Sequence, residues 1–171
     1  MLSDGFPAVA APDARVLILG SLPGPLSLAR QQYYAKPQNA FWRIMGHLVG
    51  ASPDLPYANR LERLTASRIA MWDVCRSAFR QGALDTAIQP ASVVVNDVAA
   101  FLDDHADIVL IGFNGAKAAA IYLAKILPLL SPAQQSIDRV VLPSTSPALA
   151  AMSVETKRLR WSEALRRANI I

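Results

Sequence analysis

Four short stretches of the chain are almost continuously apolar: Arg15–Gly20 (RVLILG), Arg68–Val74 (RIAMWDV), Asp107–Gly112 (DIVLIG) and Arg139–Leu142 (RVVL). A strand with one wet face alternates apolar and polar residues, whereas a strand covered on both faces does not. The four runs therefore predict buried parallel strands. Between them the apolar spacing changes to that of helices. Phe41, Ile44, Met45 and Leu48 share one face, Leu61 and Leu64 another, and Ala118, Ile121, Tyr122 and Ala124 a third that Gly115 opens. Trp161, Ala164, Leu165 and Ala168 form a fourth, with Lys157, Arg158, Arg160, Arg166 and Arg167 filling much of the remainder. Strands alternating with helices predict an α/β fold, a three-layer α/β/α sandwich around a central four-stranded parallel sheet. No repeat, low-complexity tract or linker divides the chain, so residues 1–171 read as a single domain. In such sheets a ligand sits beyond the carboxyl ends of the strands, where the strand order reverses. Three unusual loops fall there: Gly20–Gly24 after the first run, Phe113–Gly115 after the third and Pro143–Pro147 after the fourth.

The 171 residues are 53% hydrophobic and 18% charged, enough for one core without covalent staples. The N-terminus lacks a basic segment ahead of an apolar one, and no run reaches the roughly 18 apolar residues of a membrane span. A cytoplasmic, monomeric protein is expected. The lone Cys75 excludes an internal disulfide and reads as a small buried residue. No Cys/His pair has metal-ligand spacing, so neither a metal nor another cofactor is expected. A net charge of +4 favours an acidic partner without identifying one.

Two glycines around a proline, directly after a strand, let the Gly20–Gly24 loop aim backbone N–H groups at a ring carbonyl or a phosphate. The third glycine and immediate helix of a dinucleotide site are missing. Asn39 stands where a helix N-cap belongs, ahead of Phe41 and Trp42. Its amide either caps the helix or holds a water at the site, and the residues alone leave both readings open. Asp73 closes the second run near the same edge, where orienting a loop is the preferred role.

Gly20-Ser-Leu-Pro-Gly24 followed by Tyr34-Ala-Lys-Pro-Gln-Asn-Ala-Phe-Trp42 resembles motif one of mismatch-specific uracil-DNA glycosylases. Met71-Trp-Asp-Val-Cys75 with Gly82-Ala-Leu-Asp-Thr-Ala-Ile88, Phe113-Asn-Gly-Ala-Lys-Ala118 and Leu142-Pro-Ser-Thr-Ser-Pro-Ala148 are closer still to the hypoxanthine (deoxyinosine) branch of that superfamily. The resemblance runs from about Arg15 to Trp161. It implies that the backbone of Gly20, Ser21, Leu22, Pro23 and Gly24 lines a flipped-base pocket and that Tyr34 covers one face of the base. It places Asn114 near the pocket, and gives Ser144, Thr145 and Ser146 to the DNA backbone and the gap left by the flipped nucleotide. Lys157, with Arg158 and Arg160, is a candidate phosphate contact from the neighbouring basic helix. One departure matters: Leu22 stands where the superfamily usually carries the Asn or Asp that orients the attacking water. Asn39 is the substitute the resemblance offers. The implied protein is a monofunctional DNA glycosylase for a deaminated base, hypoxanthine and also uracil, hydrolysing the glycosidic bond of damaged DNA without strand scission. The alternative suggested by Leu22 is a catalytically silent nucleotide- or DNA-binding module; a remoter one is an enzyme of free nucleosides.

Overall fold

Residues 2–171 are described by a computed structural model. In chain order the elements are β1 (Leu2–Asp4), β2 (Val16–Gly20), α1 (Pro25–Arg30), α2 (Phe41–Val49), α3 (Tyr57–Ala66), β3 (Ile69–Asp73), β4 (Cys75–Phe79), β5 (Val94–Val95), α4 (Val98–Asp104), β6 (Leu110–Asn114), α5 (Ala116–Ile121), α6 (Pro132–Gln135), β7 (Asp138–Leu142) and α7 (Val154–Arg167). The four apolar runs pair as one parallel sheet in the order β3-β2-β6-β7. All five residues of β2 are buried, because its alternate side chains feed two cores. Val16 and Ile18 join Phe41, Ile44, Leu64 and Trp161 on the side of α2, α3 and α7. Leu17 and Leu19 join Phe101, Ile111, Phe113 and Tyr122 on the side of α4 and α5. The three layers expected from the sequence are present.

The chain runs from β2 outward to β3, then crosses back to β6 and on to β7. The order therefore reverses between β2 and β6, which opens the crevice beyond Gly20 and Asn114. Two expectations need correction. The third run ends at Asn114, not Gly112, so Phe113 and Asn114 are strand rather than loop. Gly112 is a packing position: a Cβ there would come within 3.0 Å of both Ile18 and Leu142 on the flanking strands. The fourth strand is not covered on both faces, since β7 is the sheet edge and Val141 is exposed.

A second sheet, antiparallel and in the order β1-β4-β5, was not expected. It packs through Ala78 against the α4–α5 core, and its strand β4 contains Cys75, which is buried. Burial raises the Cys75 thiol to about 12, so it is inert near neutrality. Among the described residues no helix is long and apolar enough to cross a membrane.

Candidate functional site

The Gly20–Gly24 loop is fixed by its carbonyls. Gly20 O accepts from the Val74 amide at 2.8 Å and Ser21 O from the Cys75 amide at 3.0 Å. The Arg80 guanidinium donates to the next two, Leu22 O at 3.3 Å and Pro23 O. Arg80 is itself buried and lies 4.0 Å from the Asp85 carboxylate. Four consecutive carbonyls thus turn toward the segment that begins at the end of β3. The N–H groups of Ser21, Leu22 and Gly24 find no internal acceptor among the described residues. The Leu22 side chain is 5% exposed and belongs to the α4–α5 core.

Gly20 is required by what lies against it. A Cβ there would collide with Asp73 Oδ1 and come within 3.0 Å of the Tyr34 hydroxyl. Tyr34 adopts φ +54, a left-handed conformation rare outside glycine, and stacks on Phe41 with centroids 4.1 Å apart. Its segment is pinned on both sides: the Trp42 indole donates to Tyr33 O at 2.9 Å, and the Ala35 amide to Ser27 Oγ at 3.1 Å. Asp73 Oδ2 is buried and has no hydrogen-bond partner among the described residues, while the buried Tyr34 hydroxyl interacts with the Asn114 side chain. Asp73 is 3% exposed, and desolvation raises its carboxyl to about 8; the nearby Asp85 adds to the rise and Arg80 opposes it. Near neutrality Asp73 is therefore mainly a neutral acid. Burial and the Asp73 charge both push the Tyr34 phenol upward, so it stays protonated.

On the other side of the crevice, Asn114 at the end of β6 grips Thr145 twice. Its Nδ2 donates to Thr145 Oγ1 at 2.9 Å, and its Oδ1 accepts from the Thr145 amide at 2.9 Å. Thr145 O in turn accepts from the Ala40 amide at 2.9 Å, which ties this loop to the start of α2. One residue earlier, Asn39 Oδ1 accepts from the Phe41 amide at 2.9 Å. Asn39 is thus a local cap although Ala40 occupies the formal N-cap, and the half-buried Asn39 keeps its Nδ2 protons and a second oxygen lone pair. Gly115, at φ +101, brings the start of α5 against this loop, with its would-be Cβ 3.1 Å from Ser144 Cβ.

The structure revises several assigned roles. Lys157 is 3% exposed, and its ammonium donates to Ser146 O at 3.2 Å, so it braces the loop instead of meeting a phosphate. Burial lowers its pKa, helped by the neighbouring Arg43. Thr145, 1% exposed, has its amide and carbonyl bonded internally, and its hydroxyl oxygen accepts from Asn114. Asn114 braces Thr145 with one Nδ2 proton and one Oδ1 lone pair and also interacts with the Tyr34 hydroxyl. Ser144 and Ser146 remain partly exposed; each hydroxyl accepts from the amide two residues on, at 3.2 Å. Arg158 is paired with Glu155, whereas Arg160 is exposed. Arg80 was not recognised in the sequence. Its partners Leu22 and Pro23 lie 58 and 57 residues away, and no local pattern announces them.

A cavity of about 580 Å³ lies elsewhere: it follows the free edge of β7 behind Ser144, between Leu149, Met152 and the arginines 160 and 167. The polar groups with chemistry converge instead on the crevice between β2 and β6. Among the described residues no cluster of His, Cys, Asp or Glu could hold a metal ion.

Residues 6–166 match the model of the uracil DNA glycosylase superfamily. A hypoxanthine DNA glycosylase of Methanosarcina barkeri is 34% identical over 168 residues, covering 98% of this chain and all of that protein. Another of that description, from Methanosarcina acetivorans, is 36% identical over 148 residues, 81% of this chain and 92% of that one. A solution NMR structure of a candidate uracil DNA glycosylase from M. acetivorans superposes with a TM-score of 0.80 at 36% identity, over 99% of both chains.

Proposed function

Because this chain belongs to the uracil DNA glycosylase superfamily, we propose that it is a monofunctional glycosylase that removes hypoxanthine from DNA in base excision repair. It works as a cytoplasmic monomer, in which the whole chain is one catalytic domain. The observation that carries the reading is the convergence of Asn39, Tyr34 and the Gly20–Gly24 loop on the switch-point crevice, with Asn39 oriented by the Phe41 amide.

Extruding a base costs a few kcal/mol, least for one that pairs badly, so a deaminated base is favoured before any pocket contact forms. The flipped base lies against the exposed face of Tyr34, whose other face is occupied by Phe41. The N–H groups of the Gly20–Gly24 loop meet its acceptor edge. The C1′–N9 bond breaks through an oxocarbenium-like state, so strong nucleophilic assistance is not required. Asn39 holds the water that adds to C1′. Its amide orients but does not deprotonate, and the Phe41 amide fixes which way the oxygen points. The cap and the catalytic readings of Asn39 are compatible in this geometry, since one lone pair serves each. The Ser144–Ser146 loop, braced by Asn114 and Lys157, supports the DNA backbone beside the vacated stack.

The test is single-turnover incubation with duplexes carrying one deoxyinosine, deoxyuridine or deoxyxanthosine. Free hypoxanthine appears, and the strand remains intact until alkali cleaves the abasic site. Release of no base from any of the three, with DNA binding retained, would make the protein the silent module that Leu22 suggests.

A further inference from the structure

Four carbonyls of the Gly20–Gly24 loop are turned into the protein, so the backbone groups it leaves unpaired are N–H donors. Two further polar groups stand beside Gly20: the Tyr34 hydroxyl, which interacts with the Asn114 side chain, and the Asp73 carboxyl, whose Oδ2 is buried with no hydrogen-bond partner among the described residues. A hydroxyl can donate. A carboxylate can only accept, but a carboxylic acid donates as well. We infer that Asp73, as a neutral carboxylic acid, donates a hydrogen bond to the exocyclic oxygen of the flipped base and so sets a preference for oxo over amino bases. This assignment rests on the glycosylase reading above.

Its chemical logic follows from deamination. Adenine presents a 6-amino donor, and hypoxanthine presents a 6-oxo acceptor at the same place. The outward N–H groups, and a carboxyl O–H directed at the base, pair with the oxo group, whereas an amino group would meet the same N–H protons and force the carboxyl to turn its acceptor oxygen instead. An unmatched buried donor of this kind lowers the relative rate about ten- to hundredfold. Guanine carries the same oxo group, so Asp73 separates oxo from amino bases only.

The protonation that the role requires is supported by the surroundings. Burial and Asp85 raise the carboxyl to about 8, and Arg80 opposes them. The other titratable groups facing Asp73 are Tyr33, Tyr34 and the Cys75 thiol, all held neutral at pH 7 by burial. A buried carboxyl kept neutral so that it can donate is an established device for binding a developing or resident oxo group. When Asp73 ionises it becomes an acceptor and repels the oxo oxygen.

The experiment compares single-turnover release from duplexes containing deoxyinosine or 2′-deoxynebularine, the purine without a 6-oxo group, between pH 6 and 9.5. In the native protein the deoxyinosine-to-nebularine ratio should be constant to about pH 7 and fall above pH 8. Asp73→Ala should lower that ratio ten- to hundredfold. Asp73→Asn keeps an N–H donor and cannot titrate; it should retain most of the ratio and lose the pH step. Equal losses on both substrates in Asp73→Ala, or an unchanged pH step in Asp73→Asn, would overturn the assignment. Melting temperatures of both variants report whether they fold. A second readout needs no catalysis: the 13C resonance of the Asp73 carboxyl, titrated with and without free hypoxanthine. Bound hypoxanthine should move its midpoint upward, and an unmoved midpoint at saturating base overturns the assignment. Should the native protein release neither base, the glycosylase reading fails while the carboxyl titration still decides whether Asp73 contacts an oxo base.

Discussion

The two loops that flank the crevice are held in opposite ways. Gly20–Gly24 is bound by its own backbone: each carbonyl from Gly20 to Pro23 has a donor, and all the donors come from Val74, Cys75 and Arg80. The loop after β7 is held by side chains from three directions: Asn114 on Thr145, Lys157 on Ser146 and the Trp161 indole on Pro143 O at 3.0 Å. Its distal end, Pro147 to Leu149, stays exposed. The first arrangement makes a stiff floor with N–H groups facing outward. The second makes a braced arm whose end is free to meet another molecule. Glycines serve each differently, Gly20 by leaving room for Asp73 and Gly115 by adopting a positive φ.

A large effect that would separate floor from arm is expected at Arg80. Arg80→Met keeps the stem but strips Leu22 O and Pro23 O of their buried charged donor. The loss should cost about 3 kcal/mol, read as a denaturation midpoint at constant m value. A cost below about 1 kcal/mol would mean that the floor does not depend on this clamp.

Next comes the pH dependence of stability at the floor. The folded Asp73 pKa, about 8, lies above the unfolded value of 3.8. Between those values the native state binds the additional proton. Stability contributed by this group is therefore full below about pH 4, falls as pH rises toward 8 and is flat above. The slope cannot exceed about 1.4 kcal/mol per pH unit. Asp73→Asn should remove the decline, so its stability advantage over the native protein should grow from pH 5 to pH 8. An advantage that shrinks over that interval would contradict the buried neutral acid.

The smallest effect belongs to the arm. Lys157→Met should cost about 1 kcal/mol, one hydrogen bond to Ser146, and leave the salt dependence of DNA binding unchanged. Arg160→Ala should instead reduce the salt slope by about one unit at little cost in stability. The reverse pattern would restore Lys157 to the surface role its sequence position suggested.

What the sequence conveyed depended on whether the cause was local. β2 and β3 were legible because burial on both faces removes polar residues from the run itself. The end of β6 was misplaced because Gly112 looks like a terminator, and only its neighbours Ile18 and Leu142 show it to be a packing position. The antiparallel sheet was missed because β4 pairs with Leu2–Asp4, at the far end of the chain. Motif order put the three loops at one sheet edge, where the parallel strands β2, β6 and β7 end. The tasks of individual side chains at that edge were less legible, since Lys157, Thr145 and Arg80 are defined by partners that folding brings from elsewhere. Asn39 was ambiguous in the sequence because its cap is local, whereas a water-holding role depends on where folding places the rest of its amide.

Asn39 is also where the account is most directly tested. Single-turnover hypoxanthine release and melting temperature should be measured together for Asn39→Ala. Loss of the Phe41 bond alone costs about 1 kcal/mol and leaves chemistry in the folded protein nearly intact. A lost water-orienting amide slows cleavage about a hundredfold or more with DNA affinity retained. The account predicts both, the modest fall in melting temperature and the hundredfold loss of rate. Native single-turnover cleavage with only the lowered melting temperature would contradict it and leave Asn39 a cap.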